Sequence, residues 1–213
     1  MALLKESERR EVGDAIARVE RDTDAEIVTV LAARADDYAY IPLLWAGLVA
    51  LIVPGAVAVV ASWIDPATAQ WVGGWMLLLW QWLTFVILGI VFRLPAVTQR
   101  LIPRHVRFWR ASNLARRQFL EQNLHHTEAE TGVLIFVSEA ERYVEILVDR
   151  GISSRLENDV WERIVADFTQ KVREGRTQQG FLDCVAACGE LLKTHVPVTH
   201  ERNELPNRLV VLE

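Results

Sequence analysis

Asp36 and Asp37 stand side by side directly after a β-rich run, and Asp149 closes another such run with Arg150 and Gly151 behind it. Carboxylate oxygens are the donors that a hard divalent cation takes, and α/β domains place ligands at the C-terminal ends of their strands. Converging there, Asp36, Asp37 and Asp149 would hold calcium or magnesium; kept apart, they are exposed turns. His125-His126 with Glu128 and Glu130 is a second group of ligand types. Its spacing matches no zinc motif and adjacent histidines rarely point the same way, so it reads as a polar helix terminus. Cys184 and Cys188 share a helix face, but only His195 and His200 lie near enough to complete a zinc site, so both read as small buried side chains. GxSxG, the P-loop, GxGxxG and HExxH are all absent. No catalytic residue is assigned.

These residues need elements to position them. Val12, Ala15, Ile16 and Val19 recur at helical spacing, with Glu8, Arg9, Glu11, Asp14, Arg18 and Glu20 on the other face. A β-rich run follows at 26–33. One helix and one strand cannot make a domain alone, so they must pair with the C-terminal part. There, Phe108, Ala111, Ala115 and Phe119 mark an amphipathic helix reaching about Asn123. The nearly continuous apolar run at 131–138 predicts a strand covered on both faces. The next run, 143–149, alternates, with Val144, Ile146 and Val148 facing one way, as expected nearer a sheet edge. Two helices close the domain. Ser154 with Glu157 forms a capping box for the first, Gly175 stops it, and Thr177 caps the second. The tail from 195 to 213 has Pro197 and Pro206 and no period.

Between Asp37 and Arg93 the chain is a different polymer. Of 213 residues 51% are apolar and 24% charged, yet 55 consecutive positions carry one charge, Asp65. Runs at 41–64 and 71–92 each exceed or match the ~20 residues of helix that cross a bilayer, and neither has a polar face to show water. Together they predict a transmembrane hairpin over 41–92. Trp45, Trp63 and Trp71 lie near the span ends, where indole rings prefer to sit. The turn has no Lys or Arg, whereas Arg93, Arg100, Arg104, Arg107 and Arg110 follow the second run, with no acid before Glu121. The positive-inside rule then places both termini in the cytoplasm of an inner (plasma) membrane. These arginines and tryptophans are the expected membrane anchor, the basic segment 93–107 meeting anionic headgroups. No signal-peptide pattern opens the chain, and two thiols suit a reducing compartment. Lys and Arg number 23 against 28 acids, a net charge of −5, which excludes a globally basic nucleic-acid binder.

The helix leading into Thr23-Asp24-Ala25-Glu26-Ile27-Val28 resembles the opening of the TPM domain. So does the strand Gly132-Val133-Leu134-Ile135-Phe136-Val137-Ser138, followed by Glu141-Arg142 and a run to Asp149-Arg150-Gly151-Ile152. Trp161, Gly175 and Gly180-Phe181 also fall where that family has similar residues. The resemblance covers about 1–37 and 108–194. TPM-domain proteins include a thylakoid-lumen acid phosphatase, photosystem repair factors and a modulator of neuronal receptors, and some bind calcium at an acidic cleft beside the sheet. The resemblance makes Asp36, Asp37 and Asp149 the matches to that cleft. The membrane hairpin replaces the family's connection after the first strand, and a cytoplasmic domain meets little free calcium.

The sequence therefore predicts a small TPM-like α/β sandwich interrupted by a two-helix transmembrane hairpin. The parts are 1–37, the spans 41–64 and 71–92, the basic segment 93–107, the remaining domain 108–194 and an irregular tail 195–213. The expected role is a non-enzymatic adaptor or assembly and maintenance factor, with a membrane-protein partner or a second copy of itself, anionic lipid around it and no cofactor. The alternative is a divalent-metal-dependent phosphatase using calcium or magnesium at the three aspartates.

Overall fold

The computed structural model describes residues 4–64, 74–94, 97, 101–127, 129–199 and 205–212. In chain order the elements are α1 (Glu6–Glu20), β1 (Glu26–Ala32), α2 (Tyr40–Ile64), α3 (Trp75–Val91), α4 (Arg104–Glu121), β2 (Gly132–Ser138), β3 (Tyr143–Val148), α5 (Arg150–Ser153), α6 (Asn158–Arg173), α7 (Thr177–His195) and β4 (Leu209–Leu212). A short 3-10 turn, Leu124–His126, precedes β2. The chain divides into two units, Met1–Asp36 with Arg107–Glu213, and Asp37–Val106.

The first unit is built on a four-stranded sheet in the order β3-β2-β1-β4. β1 and β2 pair in parallel from Glu26↔Gly132 to Ala32↔Ser138, across more than a hundred residues of chain. β3 returns antiparallel to β2. Both central strands are buried along their whole length, as their nearly unbroken apolar sequences require. Alternate residues serve two cores. Ile27, Leu31, Val133, Ile135 and Val137 pack with α1, α6 and α7. Val28, Val30, Leu134 and Phe136 pack with Ala111 and Ala115 of α4. Val144 joins the first core, with Ile146 and Val148 packed against it, as their alternation predicts.

Three local expectations need correction. The tail is not irregular: β4 pairs in parallel with β1, Thr29↔Leu209 to Ala32↔Leu212. Its approach is pinned by the Thr23↔Pro197 bridge and by the Thr199 amide donating to Asp24 at 2.9 Å. Four residues on an edge are too few to show a period. Ser154 does not open α6: it is the last-turn cap of α5, and Glu157 takes the N-cap place. Thr177 is the first residue inside α7, behind Arg176, and its hydroxyl bonds Glu139 at 3.2 Å.

In the second unit α2 runs 25 residues without interruption through Pro54. That is about 37 Å at 1.5 Å per residue, enough for a ~30 Å hydrocarbon core, and it is the one described helix long and apolar enough to cross a membrane. Trp63 is 87% and Ile64 81% exposed. α3 is shorter than the run 71–92 suggests. It spans 17 residues, about 26 Å, and Trp71 lies outside the described residues. The two helices pack together, with the Gln81 amide donating to the Leu51 carbonyl at 3.4 Å.

α6 and α7 meet where a Cβ on Gly180 would stand 2.2 Å from the Phe168 ring, itself edge-on to Phe181 at 4.9 Å. Neither fully buried ring has room to move. Gly180→Ala should therefore lower stability by about 1–3 kcal/mol through overpacking. Urea unfolding of the full chain in detergent reads this as a lower midpoint with unchanged slope.

Candidate functional site

The aspartates named from the sequence do not share a site. Asp36 lies just past the C-terminal end of β1, with its Oδ2 3.2 Å from Nε of Arg110 on α4. The loop there is fixed by Glu141, 4% exposed, which accepts the Ala35 amide at 3.1 Å and also the Ser138 hydroxyl. Asp37 is the next residue in the chain. Asp149 is at the other end of the sheet. Its amide donates to Gly132, the first residue of β2, at 2.9 Å, and its Oδ1 accepts the Arg150 amide at 2.7 Å, capping α5. The β2 register from Gly132 to Ser138 separates the two ends by roughly 20 Å at ~3.3 Å per residue. The expected acidic corner fails because β3 runs antiparallel to β1, so its C-terminal end lies beside the strand beginnings. Among the described residues no three His, Cys, Asp or Glu side chains gather as a metal site, and Asp36 and Asp149 do not converge.

The other ligand types are accounted for. His125 and His126 do face alike, with ring centroids 4.0 Å apart, on an exposed turn; Glu128 lies outside the described residues. Cys184 and Cys188 are buried with their sulfurs 4.0 Å apart. The Cys188 thiol, together with burial, pushes Cys184 well above its ordinary range, so it stays a neutral thiol at neutral pH and is a poor nucleophile.

The arginines divide by position. Arg93 is exposed past α3 and Arg104 is exposed at the start of α4, while Arg107 and Arg110 are half-buried. Arg110 also lies 5.1 Å over the Trp109 ring. Arg100 is outside the described residues. Trp45 in α2, like Trp63, is exposed.

Two arrangements were not legible in the sequence. Ser112 on α4 donates to Glu145 on β3 at 3.2 Å. Burial raises Glu145 above the usual carboxylate range, and burial and Glu145 together push Tyr143 up to about 12. The signal was the alternation of β3, which sends Tyr143, Glu145 and Leu147 to the face that α4 covers. The second is a groove of about 570 Å³ between α1 and α7. Ala15, Val19, Leu182, Val185, Ala186 and Gly189 are apolar lining residues; Glu11, Arg18, Asp22, Glu190 and Lys193 supply charge. Lys193 reaches Asp22 at 2.9 Å. Small residues clustered in α7 were its only trace in the sequence.

Residues 104–191 match the TPM domain. A solved structure, the NMR structure of BA42 protein from the psychrophilic bacterium Bizionia argentinensis, superposes with a TM-score of 0.59 at 17% identity. It covers 99% of this chain and 96% of its own, a likeness of fold. No curated protein matches. The TPM match omits α1, β1 and β4, which nevertheless complete its sheet.

One buried group of the first unit titrates in an accessible range. Glu20, at the end of α1, accepts the Ile27 amide at 2.8 Å, where β1 has no strand on that side yet. Burial raises its pKa to about 8; neighbouring Glu26 adds to this, while the Ile27 and Asn207 hydrogen bonds oppose it. A carboxyl raised on folding favours the folded state fully below its ordinary 4.5, and that contribution is lost as pH climbs through about 8. Stability should fall across that window in the native chain. Glu20→Gln keeps the acceptor without the proton, so its melting temperature should be flatter with pH. Parallel curves for the two proteins would show that Glu20 is ionised when folded.

Proposed function

We propose that this chain is a membrane-anchored TPM-domain protein that docks a segment of another membrane protein, acting as a non-enzymatic adaptor or assembly and maintenance factor. The observation that carries the reading is the groove between α1 and α7. An open trough with an apolar floor and a rim of both charge signs suits an amphipathic helix laid along it. The long exposed apolar helix α2, with α3 packed beside it, supports an anchor that keeps the domain near membrane-protein partners. In this reading α2 and α3 both cross the bilayer, the 93–107 basic segment stays inside, and both termini are cytoplasmic. No metal has a role in it. The phosphatase alternative would have to work without the three-aspartate site, since Asp36 and Asp149 mark opposite ends of the sheet.

Copurification from mild detergent should yield a stoichiometric membrane-protein partner. Ala186 is exposed in the groove wall, so Ala186→Arg should leave the fold intact and cut partner recovery at least tenfold, read by quantitative mass spectrometry. Recovery equal to the native chain would remove the groove as the docking site. Phosphomonoester turnover by the purified full chain would favour the enzyme instead. A reporter fused after Glu213 should register a cytoplasmic C-terminus.

A further inference from the structure

The outer face of α4 is unlike the rest of the folded unit. Among the described residues of Met1–Asp36 and Arg107–Glu213, the exposed large apolar side chains are Trp109, Leu120 and Val198. Two of the three lie on α4, at 59% and 56% exposure. At about 100° per residue, His105, Trp109, Asn113, Arg116 and Leu120 fall within one stripe about 80° wide. All five are exposed. Arg117 flanks the stripe, and the Arg110 guanidinium lies over the face of the Trp109 indole. The opposite face of the helix, Ala111, Ala115 and Gln118, is buried.

We propose that this stripe seats on the anionic surface of the bilayer, with Trp109 and Leu120 entering the headgroup layer and Arg116 and Arg117 meeting its phosphates. Three observations select that occupant. The composition is that of an interfacial helix: an indole and an aliphatic side chain set among arginines. The charge is complementary, because no acid occurs between Arg93 and Glu121. Glu121 is engaged by Arg117 at 3.4 Å, and Glu145 is turned inward to Ser112. The chain also supplies proximity: 12 residues separate Val91 of α3 from Arg104 of α4, a tether of at most about 40 Å. The assignment moves the lipid contact away from Arg107 and Arg110, which the sequence had named and which are half-buried. It rests on the membrane anchor in the proposed function and not on the groove, so either can fail alone.

The test uses the full chain in vesicles. Asn113→Cys, labelled with a polarity-sensitive dye, reports on the middle of the stripe; Cys184 and Cys188 are buried and should not react. In phosphatidylglycerol-containing vesicles the dye should shift to the blue and lose acrylamide access several-fold relative to pure phosphatidylcholine. The change should reverse at high salt. In the labelled background, Trp109→Ser with Leu120→Ser should abolish the shift, and Arg116→Gln with Arg117→Gln should remove its dependence on lipid charge. Circular dichroism checks that each variant folds. A dye equally exposed in both vesicles overturns the proposal, as does a shift that ignores lipid charge and salt.

Discussion

The pairing of β1 with β2 is the constraint on which everything else hangs. The two central strands lie side by side in register although the whole apolar unit separates them in sequence. Loop closure grows only logarithmically with length, so a seventy-residue insertion costs little more than a short one. The ends of that insertion must still be held together. Asp36 and Arg110 do this, one just after β1 and the other on the helix that leads back towards β2. Glu141 adds a second tie by accepting the Ala35 amide from the turn between β2 and β3. An acid that the sequence marked as a candidate metal ligand thus serves to close the neck of the insertion. Its carboxylate is engaged by a guanidinium, which accounts for its position without a cation.

What the sequence made legible was whatever depends on local period. The central strands announce themselves because both faces are buried, and β3 because one face is less so. β4 has four residues on an edge, and its place follows from pairing with Thr29–Ala32 rather than from its own pattern. The metal site failed on strand direction. The residues 139–142 read as a turn and 143–149 as the second strand of a hairpin, and that hairpin, carried through, sends β3 back along β2 and places Asp149 across the sheet from Asp36. Ser154 and Thr177 failed for a related reason. Each has the residue type of a cap, but the short helix α5 takes up Ser154 and the Glu139 carboxylate takes up Thr177.

The buried polar groups fit a domain whose last strand is added late in the chain. β1 is longer than β4, so at Ile27 its outer amide has no strand partner, and Glu20 supplies the acceptor. An ionised carboxylate at that depth beside Glu26 would be costly; a neutral one fills the same role as a backbone carbonyl. The raised pKa is therefore the consequence of using a side chain to finish a sheet edge.

The groove gains its meaning from the same topology. One wall is α1, before the membrane insertion, and the other is α7, after it. They approach closely enough that a Cβ on Gly189 would stand 2.8 Å from Val19. Neither wall is complete alone: α1 and α7 pack on each other and on the sheet that β1 and β2 form. A partner bound there would recognise a chain already closed around its apolar insertion, and binding would stabilise that closed state in proportion to its occupancy. The same strand pairing that completes the domain brings the two walls together.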